Sequence, residues 1–381
     1  MAEAEYHFIC LDPRKSKRHA VETVLGGLGT LRFLPIVPLG WQKHAEAGKR
    51  AAAAMVTAKK QPKTAFGTFA KRKLLEAQYN GARALFARNK DAVAVAWNGL
   101  NGSRRVFMDA AKDAGNRQLY FELCPFKGRI TVDPCGVNFQ NSLPRVAAPY
   151  LQWAAAQEPP PTWEEHATSI TARQGAVKRG DAGQAHPLEA PFIFVPLQVP
   201  GDSQLRIFGG NYPTVESVVE AVARAAAHLP EGWHVRIKEH PTAKDSLGES
   251  HQRLFQGNVV LDNSTDTFAQ VAASRAVITV NSSVGLEAML FRKPVAALGQ
   301  CFWAIPGVAQ HLPDMPALSA AFAAPESMTF DPELRDAFLG FIFNAYYPTL
   351  DSSEATTSAI ARRLQGADAF GFWDRQATGK D

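Results

Sequence analysis

The chain has 381 residues, 46% of them hydrophobic and 20% charged, which predicts a globular protein of two ordinary domains and excludes a disordered chain. No apolar run approaches the roughly 18 residues that span a bilayer, and the N-terminus carries acidic residues and only a short apolar stretch, so neither a membrane helix nor a secretory signal is expected. The net charge of +5 is unevenly distributed along the chain.

The first half of the chain alternates short apolar runs with segments of helical spacing. Strands are predicted at residues 6–11, 31–37, 92–97, 118–122 and 130–132, and helices at residues 42–60 and 68–88. A loop rich in Gly and Asn after residue 97 leads into a further helix, which Gly115 ends. Such alternation is typical of a parallel sheet with helices on its faces.

Between residues 157 and 191 the alternation stops in a segment rich in proline, charged and small residues, which we interpret as an interdomain region. It then resumes, with strands predicted at residues 192–197, 234–238, 259–262, 276–280 and 294–298, and helices at 215–228, 245–255, 267–273, 284–291 and 338–365. We therefore predict an α/β fold of two Rossmann-like domains facing a central cleft, with ligands at the carboxyl ends of the strands. The predicted domains are residues 1–185 and 186–345, followed by a C-terminal helical segment, 346–381, that packs back on the N-terminal domain.

The four cysteines are Cys10, Cys124, Cys135 and Cys301, and they show no CxxC pair and no metal-ligand spacing. Free thiols indicate a reducing compartment, so a cytoplasmic location is expected. No loop carries an Asp-x-Asp-like site, so the sequence requires neither a metal ion nor a cofactor.

The first hundred residues hold 17 Lys/Arg and 7 Asp/Glu, and basic clusters lie at residues 14–18, 59–63 and 71–73. These clusters predict either an anionic partner or a solvated basic face. The anionic partner would be the inner face of the cytoplasmic membrane, to which the protein would bind peripherally, an acidic polysaccharide or nucleic acid. Nucleic acid is the least favoured, because the clusters lack interleaved exposed aromatic residues and no nucleic-acid motif accompanies them.

Polar residues follow the strand predicted at 276–280 and precede a helix. Ser282 and Ser283, with their backbone N–H groups at the helix N-terminus, form a candidate phosphate site. Glu287 would lie in the first or second turn of that helix, where its carboxylate can accept hydrogen bonds from a ribose or a base. The alternative is a plain N-cap, for which serine is common.

A second candidate lies at the end of the strand 234–238. His240 can donate to a phosphate there, Lys238 adds positive charge, and Pro241 fixes the backbone that follows. A lone histidine is more often structural, but its position upstream of the serine loop favours convergence of the two loops on one ligand. A third polar loop, residues 195–206, is suited to gripping a sugar or nucleotide, although by itself it is only a turn.

Two carboxylates in the first half flank a short excursion of the chain: Glu122 ends one strand, and Asp133 follows the next. Both could face one cleft, the arrangement that glycosyl chemistry uses for a base and a nucleophile. Asp133 also lies in a good turn sequence, Asp-Pro-Cys-Gly, so a structural role is the alternative. Polar residues at nearby strand ends are candidates for binding the sugar or the acceptor: Asn98, Asn101, Ser103, Arg104 and Asn138.

Together these strings resemble the capsule-polysaccharide-synthesis family of bacterial glycosyltransferases, in particular the retaining β-Kdo transferases. The matching residues are Glu122, Pro125, Asp133, Gly136, Val137, Asn138, Gln198, Asp202, Ser203, Gln204, Lys238, His240, Pro241, Asn281, Ser282, Ser283, Gly285, Glu287 and Ala288. The His-Pro and Ser-Ser pairs are also similar to those of bacterial sialyltransferases, which use another CMP-activated keto-acid sugar. The likeness runs from about residue 97 to residue 299.

The resemblance implies a GT-B fold whose C-terminal domain holds CMP-Kdo as the donor substrate. The residues implied to bind this nucleotide sugar are Gln198, Ser203, Gln204, Lys238, His240, Pro241, Asn281, Ser282, Ser283 and Glu287. Kdo would pass to a glycan or glycolipid acceptor with retention by double displacement, with Asp133 as the nucleophile and Glu122 as the acid/base. The reaction would belong to bacterial surface polysaccharide synthesis, of capsule or lipopolysaccharide.

Three alternatives stay open: a CMP-sialic-acid-type transferase, a UDP-sugar 2-epimerase of the same architecture, and a non-catalytic carbohydrate- or membrane-binding partner of a capsule assembly complex. Binding of UDP sugars in preference to CMP sugars would favour the epimerase. Tolerance to the loss of Asp133 would favour the non-catalytic partner.

Overall fold

The computed structural model describes residues 5–12, 14–167, 188–243, 247 and 249–366. They form two compact units. Unit 1 comprises the described residues of Met1–Cys124, Gly128–Leu143 and Phe343–Asp381, and unit 2 those of Pro125–Lys127 and Pro144–Ile342. No helix within the described ranges is long and apolar enough to cross a membrane.

The strands of these two units are β1 (Tyr6–Leu11), β2 (Gly29–Leu34), β3 (Ala92–Trp97), β4 (Gln118–Leu123), β5 (Ile130–Asp133), β6 (Phe192–Pro196), β7 (His234–Lys238), β8 (Val259–Leu261), β9 (Ala276–Thr279), β10 (Val295–Ala297) and β11 (Gln310–His311). The helices are α1 (Lys15–Leu25), α2 (Ala47–Thr57), α3 (Ala65–Arg88), α4 (Gly102–Asp113), α5 (Ala148–Ala155), α6 (Glu164–Ala167), α7 (Ser203–Phe208), α8 (Val215–Ala226), α9 (Glu249–Gln252), α10 (Thr267–Ala273), α11 (Val284–Leu290), α12 (Met315–Ala323), α13 (Pro332–Phe341) and α14 (Glu354–Leu364). A π-helical turn, Ile342–Tyr346, directly follows α13.

The sheet of unit 1 has the order β2-β1-β3-β4-β5, with β5 antiparallel to β4 and the other pairs parallel. One face packs against α1 and α14 in a continuous apolar core, and α4 contacts β3 and β4. All six residues of β3 are buried, which explains why its sequence is an unbroken apolar run. The chain order reverses between β1 and β3, and open α/β sheets bind ligands at such a reversal.

The sheet of unit 2 is parallel throughout, in the order β11-β10-β9-β6-β7-β8. In chain order this is the arrangement of a dinucleotide-binding Rossmann sheet, and its reversal lies between β6 and β9. Helix α8 shows how the sequence builds the layer: Val215, Val218, Val219 and Val222 recur at helical spacing and are all buried. A reciprocal capping box between Thr214 and Ser217 starts this helix.

The predicted α/β class with two Rossmann-like sheets is confirmed. Most strands begin and end within two residues of the predicted positions. Helix α1 was not predicted, because the basic residues of its first turn obscure the helical spacing of its buried apolar residues, Ala20, Val21, Val24 and Leu25. The helix predicted at 338–365 is broken: α13 ends at Phe341, and α14 begins only after Ser353, whose side chain caps it. Parts of three predicted segments lie outside the described residues: 168–187 of the interdomain region, 245, 246 and 248 of the helix predicted at 245–255, and 367–381 of the C-terminal segment.

The predicted boundary at residues 185 and 186 differs from the structure, in which unit 2 already includes the chain from Pro144 onwards. Aromatic packing explains the difference. The Tyr150 ring lies edge-on to the rings of Phe338 and Phe341 in α13, with centroids 5.2 and 5.6 Å away. Trp163 Nε1 also donates to Asp336 at 3.0 Å.

The segment after α13 returns to unit 1 and packs along β5. Ile130 donates its N–H to the carbonyl of Pro348 at 3.1 Å, and the Arg363 guanidinium donates to the carbonyls of Val132 and Tyr346. These contacts place Tyr346 beside the end of β5, where Asp133 lies.

Candidate functional site

A pocket in unit 2 lies at the carboxyl ends of β6, β7 and β9, next to the reversal of strand order. It is lined by Pro196, Leu197, Lys238, Glu239, His240, Pro241, Thr267, Phe268, Ser282, Ser283, Val284 and Glu287. The carboxyl ends of parallel strands meet at one edge of the sheet, so loops distant in sequence share this pocket. The structure thus brings together the His-Pro and Ser-Ser residues that the sequence singled out.

The imidazole of His240 is oriented by the residue two positions later. The backbone N–H of Thr242 donates to Nδ1 at 3.2 Å, and Thr242 Oγ1 lies 2.9 Å from the same nitrogen. Because a backbone N–H can only donate, Nδ1 must accept, and the proton of the neutral ring is therefore on Nε2. In the neutral ring the Nε2–H group is therefore the hydrogen-bond donor of His240.

The two serines lie between β9 and α11. Ser283 is the N-cap of α11, but its side chain makes no capping hydrogen bond, and Ser282 Oγ accepts the N–H of Val284 at 3.3 Å. Glu287 lies in the first turn and is only 7% exposed. A Cβ at Gly285 would come within 2.5 Å of the Trp303 ring, so glycine lets α11 pack closely and holds the serines at the pocket.

Gln198 and Asn281 join the ends of β6 and β9. Gln198 Nε2 donates to Asn281 Oδ1 at 3.0 Å, and the Asn281 N–H donates to Gln198 Oε1 at 3.3 Å. Asn281 Nδ2 also donates to the carbonyl of Gln204 at 3.1 Å. Ser203 opens α7, where Asp202 provides the N-cap. These residues therefore brace the loops beside the pocket, and Gln204 Nε2 is buried with no partner within the described chain.

Lys238 and Glu239 are held by the turn that follows β8. Lys238 Nζ donates to the carbonyls of Asn263 and Thr265 at 2.9 and 2.6 Å. The side-chain amide of Asn263 accepts the Glu239 N–H at 2.9 Å and donates to Glu239 Oε2 at 2.8 Å. Burial lowers the pKa of Lys238, against the opposing effect of Asp262. Lys238 thus anchors the turn as well as adding charge to the pocket.

A buried ion pair between β7 and the residue after β8 stabilises the same turn, the one that follows β8. Arg236 in β7 and Asp262 after β8 are both 0% exposed and hydrogen-bonded to each other. Asp262 also accepts the side-chain and backbone donors of Ser264 and Thr265. Burial alone would raise the pKa of Asp262, but the hydrogen bonds from Thr265, Ser264 and Arg236 lower it to about 2.

The lowered pKa of Asp262 predicts an acid-sensitive unit 2. Its folded pKa lies below the unfolded value near 3.9, so its stabilisation is complete above about pH 4 and is lost as the pH falls towards 2. We expect a loss of about 2 kcal/mol over this window, measured by denaturant unfolding at a series of pH values. In Asp262→Asn this component of the pH dependence should be absent; an unchanged dependence would contradict the assignment.

In unit 1, Glu122 lies at the end of β4 and is held by residues at the end of β3. Its Oε1 accepts Trp97 Nε1 at 3.0 Å, and its Oε2 accepts Asn98 Nδ2 at 2.8 Å. Asn98 has φ 64°, a left-handed conformation that asparagine tolerates better than most residues. A half-buried carboxylate with fixed donors suits a general acid/base.

Two residues that the sequence did not single out join this edge of the sheet. Asp12, directly after β1 and 4% exposed, pairs with Arg104 at 3.3 Å. Lys17 Nζ lies 4.5 Å from the centre of the Trp97 ring, and burial lowers its pKa although Glu122 and Asp12 act in the opposite direction. A polar residue directly after the first strand was the available signal for Asp12, whereas Lys17 was hidden in the basic cluster at 14–18.

The other predicted residues of unit 1 lie on neighbouring turns. Asn101 is the N-cap of α4, Ser103 lies in its first turn, and Asn138 begins a 3-10 turn after β5. The structure therefore gathers Asn98, Arg104 and Glu122 at one edge, with Asn138 in the turn that Asp133 organises.

Asp133 is fully buried at the end of β5. Its Oδ1 accepts the N–H groups of Cys135 and Gly136 at 2.8 and 3.1 Å. Its Oδ2 accepts the Ser142 N–H at 3.0 Å, Ser142 Oγ at 2.8 Å and the Tyr346 hydroxyl at 3.0 Å. The carboxylate thus organises residues 133–142 and binds the C-terminal segment. The role of Asp133 as nucleophile stays a prediction. To attack the anomeric carbon, one carboxylate oxygen would have to give up one of these hydrogen bonds.

The strand register relates the two carboxylates. Asp133 is paired with Tyr120, and Glu122 with Thr131, across the antiparallel β4–β5 ladder. Paired residues share a face, as do residues two apart, so Glu122 and Asp133 are diagonal neighbours, roughly 7–8 Å apart on one face. Their backbone positions are compatible with a shared substrate.

Within the described ranges, no group of three or more His, Cys, Asp or Glu side chains is placed to hold a metal ion. The four cysteines are free thiols. Burial raises the pKa of Cys10 and of Cys301 to about 12, so these two are inert packing residues.

Residues 169–347 match the family model described as capsule polysaccharide biosynthesis protein, which confirms the resemblance seen in the sequence. Protein FixF of Sinorhizobium fredii is 33% identical over 272 residues, 71% of this chain and 64% of FixF. The capsule polysaccharide modification protein LipB of Neisseria meningitidis is 29% identical over 141 residues, 34% of this chain and 32% of LipB. The chain thus covers less than two thirds of either relative.

The solved structure of Thermosulfurimonas dismutans KpsC, a β-Kdo 2,7 transferase, is similar in fold. The similarity covers 93% of this chain and 98% of that one, with a TM-score of 0.54 and 12% identity. The fold of both units therefore has a known counterpart. The family match begins at residue 169, so it includes the pocket of unit 2 but neither Glu122 nor Asp133.

Proposed function

We propose that the protein is a glycosyltransferase that moves Kdo from CMP-Kdo to a glycan or glycolipid acceptor of a bacterial surface polysaccharide, a proposal that the match of residues 169–347 to the capsule polysaccharide biosynthesis model supports. The observation that carries the proposal is the pocket of unit 2, in which His240, Ser282 and Glu287 converge at the reversal of the sheet. A nucleotide with a single phosphate fits this set of groups.

CMP needs charge stabilisation more than strong acid catalysis when it leaves the sugar. The Nε2–H of His240 and the hydroxyls of Ser282 and Ser283 would donate to its phosphate, and the carboxylate of Glu287 would accept a ribose or base hydrogen. Donors fixed before the reaction lower its barrier because they need no reorganisation as charge develops. The hydrogen bonds that Asn263 and Asn281 make with the neighbouring loops provide that rigidity.

The proposed chemistry in unit 1 is double displacement with retention. Asp133 would attack the anomeric carbon as CMP leaves, and Glu122 would then take the proton of the acceptor hydroxyl as it displaces Asp133. The fixed, half-buried carboxylate of Glu122 supports its part. The diagonal register of the two residues supports their cooperation.

A second candidate function is a nucleotide-sugar-binding partner without transferase activity. The burial of Asp133 and its five hydrogen-bond donors favour it, because they account for this aspartate by structure alone. The two candidates share the pocket of unit 2 and differ in whether Kdo becomes bound to the protein.

Substitution of the donor pocket tests the nucleotide assignment. His240→Ala and Ser282→Ala should each weaken CMP binding by roughly 1.5–3 kcal/mol, the usual contribution of a charge-assisted hydrogen bond. Titration calorimetry with CMP measures the effect. His311→Ala, at an exposed histidine of the same unit, should bind CMP like the unchanged protein. If both pocket variants bound CMP as tightly as the unchanged protein does, the donor assignment would be overturned. Tighter binding of UDP than of CMP by the unchanged protein would overturn it as well.

We also propose that the protein works at the anionic inner face of the cytoplasmic membrane, where a glycolipid acceptor would be found. The 17 Lys/Arg against 7 Asp/Glu in residues 1–100 support this location, because basic segments are attracted to anionic lipid.

A further inference from the structure

The large hydrophobic side chains that the described chain exposes are concentrated in one stretch of unit 1. Ten such side chains are exposed, and seven of them lie between residues 36 and 74. They are Ile36, Leu39, Trp41, Val56, Phe66, Phe69 and Leu74, and their exposed fractions range from 47% to 84%. Scattered exposed hydrophobic residues need no explanation, but such a concentration marks an interaction surface.

The first part of α3 explains most of this exposure. No residue from 61 to 74 is buried, and Leu75 is the first residue of α3 that enters the core. Phe66 and Phe69, 79% and 60% exposed, are one helical turn apart and lie on the same side of the helix. A helix in this position normally turns apolar residues inward, whereas this one presents them outward.

Two neighbouring segments are held on the same helix. The loop before α2 contacts the middle of α3: Gly40 donates its N–H to the carbonyl of Ala77 at 2.9 Å, and His44 to Asn80 Oδ1 at 3.2 Å. The loop after α2 contacts its beginning, because Lys71 Nζ donates to the carbonyl of Lys60. The exposed side chains of residues 36–74 therefore belong to adjoining segments, and we refer to them as the 36–74 surface.

Positive charge surrounds these apolar side chains. Residues 41–76 contain nine Lys/Arg and two Asp/Glu. Lys59, Lys60 and Lys63 are exposed in the loop before α3, and Lys73 Nζ lies 5.9 Å from the centre of the Phe69 ring. The expectation that these basic clusters lack interleaved exposed aromatic residues is therefore wrong: Phe66 and Phe69 lie between Lys63 and Lys71, with both rings exposed.

We propose that the 36–74 surface inserts its apolar side chains into an anionic lipid bilayer while its lysines bind the lipid headgroups. Aromatic rings together with lysines are the side chains that are enriched where a protein meets the membrane–water interface. The aliphatic side chains of Ile36, Leu39 and Val56 favour lipid over nucleic acid as the partner. They would be buried among acyl chains, whereas they cannot stack on bases as aromatic rings do. This inference rests on the proposed membrane location and is independent of the donor and of catalysis.

Vesicle flotation tests the surface, with phosphatidylcholine alone or mixed with phosphatidylglycerol. Phe66→Ser with Phe69→Ser should lower binding to the mixed vesicles about tenfold or more, since each ring loses part of its burial. Replacing Lys59, Lys60 and Lys63 by Gln should lower it roughly 100-fold, about fivefold for each charge, and added salt should weaken the unchanged protein similarly.

Matched substitutions elsewhere provide the controls. Val146→Ser with Leu350→Ser removes two exposed apolar side chains, and changing Arg224, Arg253 and Arg275 to Gln removes three exposed charges. Both sets should bind vesicles like the unchanged protein. Thermal unfolding of every variant checks that the fold is kept.

Each outcome separates the levels of the proposal. If the unchanged protein ignores phosphatidylglycerol, the membrane location and the inference fail together. If it binds but the Phe variants bind equally well, the location stands and the surface is wrong. If the Phe variants change only the oligomeric state in sedimentation, or only the binding of an oligonucleotide, the surface serves another partner and the inference is overturned. CMP calorimetry on the same samples reports the donor pocket separately.

Discussion

Asp133→Asn is expected to lower Kdo transfer by several orders of magnitude while CMP binding in unit 2 persists. The amide cannot act as the anionic nucleophile of a double displacement. A stability cost is expected as well. The amide oxygen can keep the N–H groups of Cys135 and Gly136, but the NH2 group would face the N–H of Ser142, which leaves one buried donor without an acceptor at about 1–3 kcal/mol. Transfer is measured with CMP-Kdo and a panel of acceptors, and stability by denaturant unfolding.

Two control variants separate chemistry from structure at this site. Ser142→Ala and Tyr346→Phe each remove a hydroxyl that donates to Asp133 Oδ2 and leave the carboxylate in place. If Asp133 is only structural, these variants and Asp133→Asn should lose transfer in proportion to their loss of stability. If Asp133 is the nucleophile, the two controls should retain transfer at a temperature where all variants are folded.

The covalent intermediate gives a direct readout of the same prediction. Glu122→Gln should permit the first displacement and slow the second, because activation of the acceptor belongs to the second. Intact-protein mass spectrometry after mixing this variant with CMP-Kdo should show one added Kdo, on the peptide that contains Asp133. An adduct on another residue would show that the nucleophile is wrongly assigned, and the absence of any adduct together with intact CMP binding would favour the non-catalytic candidate.

Arg236→Met is expected to lower the free energy of unfolding by about 3–5 kcal/mol, because it leaves the charge of Asp262 buried without its cationic partner. The turn after Asp262 also positions Asn263 against Glu239 and Lys238. We therefore expect weaker CMP binding in addition to the lower stability. Chemical denaturation and calorimetry measure the two effects.

The exposed Arg275, changed to Met, is the matched control and should unfold like the unchanged protein. Combining Arg236→Met with Asp262→Asn should recover part of the loss, since the double variant no longer buries an unpaired charge. Unfolding of Arg236→Met at the same denaturant concentration as the unchanged protein would show that the pair does not hold the turn.

The sequence alone was sufficient for the class of fold and for the loops that form the pocket of unit 2. Runs such as AVAVAW in β3 and the valine spacing of α8 report burial locally, through side chains a few residues apart. The position of His240, Ser282 and Ser283 after strands was enough to predict their convergence, because all parallel strands of a sheet end at the same edge. Glu122 and Asp133 were singled out for a different reason: they flank a short excursion of the chain, and the antiparallel pairing of β4 with β5 makes them neighbours.

Only the tertiary structure decided what surrounds those residues. Tyr346 reaches Asp133 from 213 residues away, and Asp12 reaches Arg104 from 92 residues away; no local pattern encodes either contact. The strand order, which places Gln198 beside Asn281, is likewise a choice among pairings that the same strands permit. The exposure of Phe66 and Phe69 was beyond the sequence as well, because a helical pattern shows which residues share a side and not whether a neighbour covers it. Spacing along the chain records local geometry, whereas burial depends on contacts between segments that are distant in sequence.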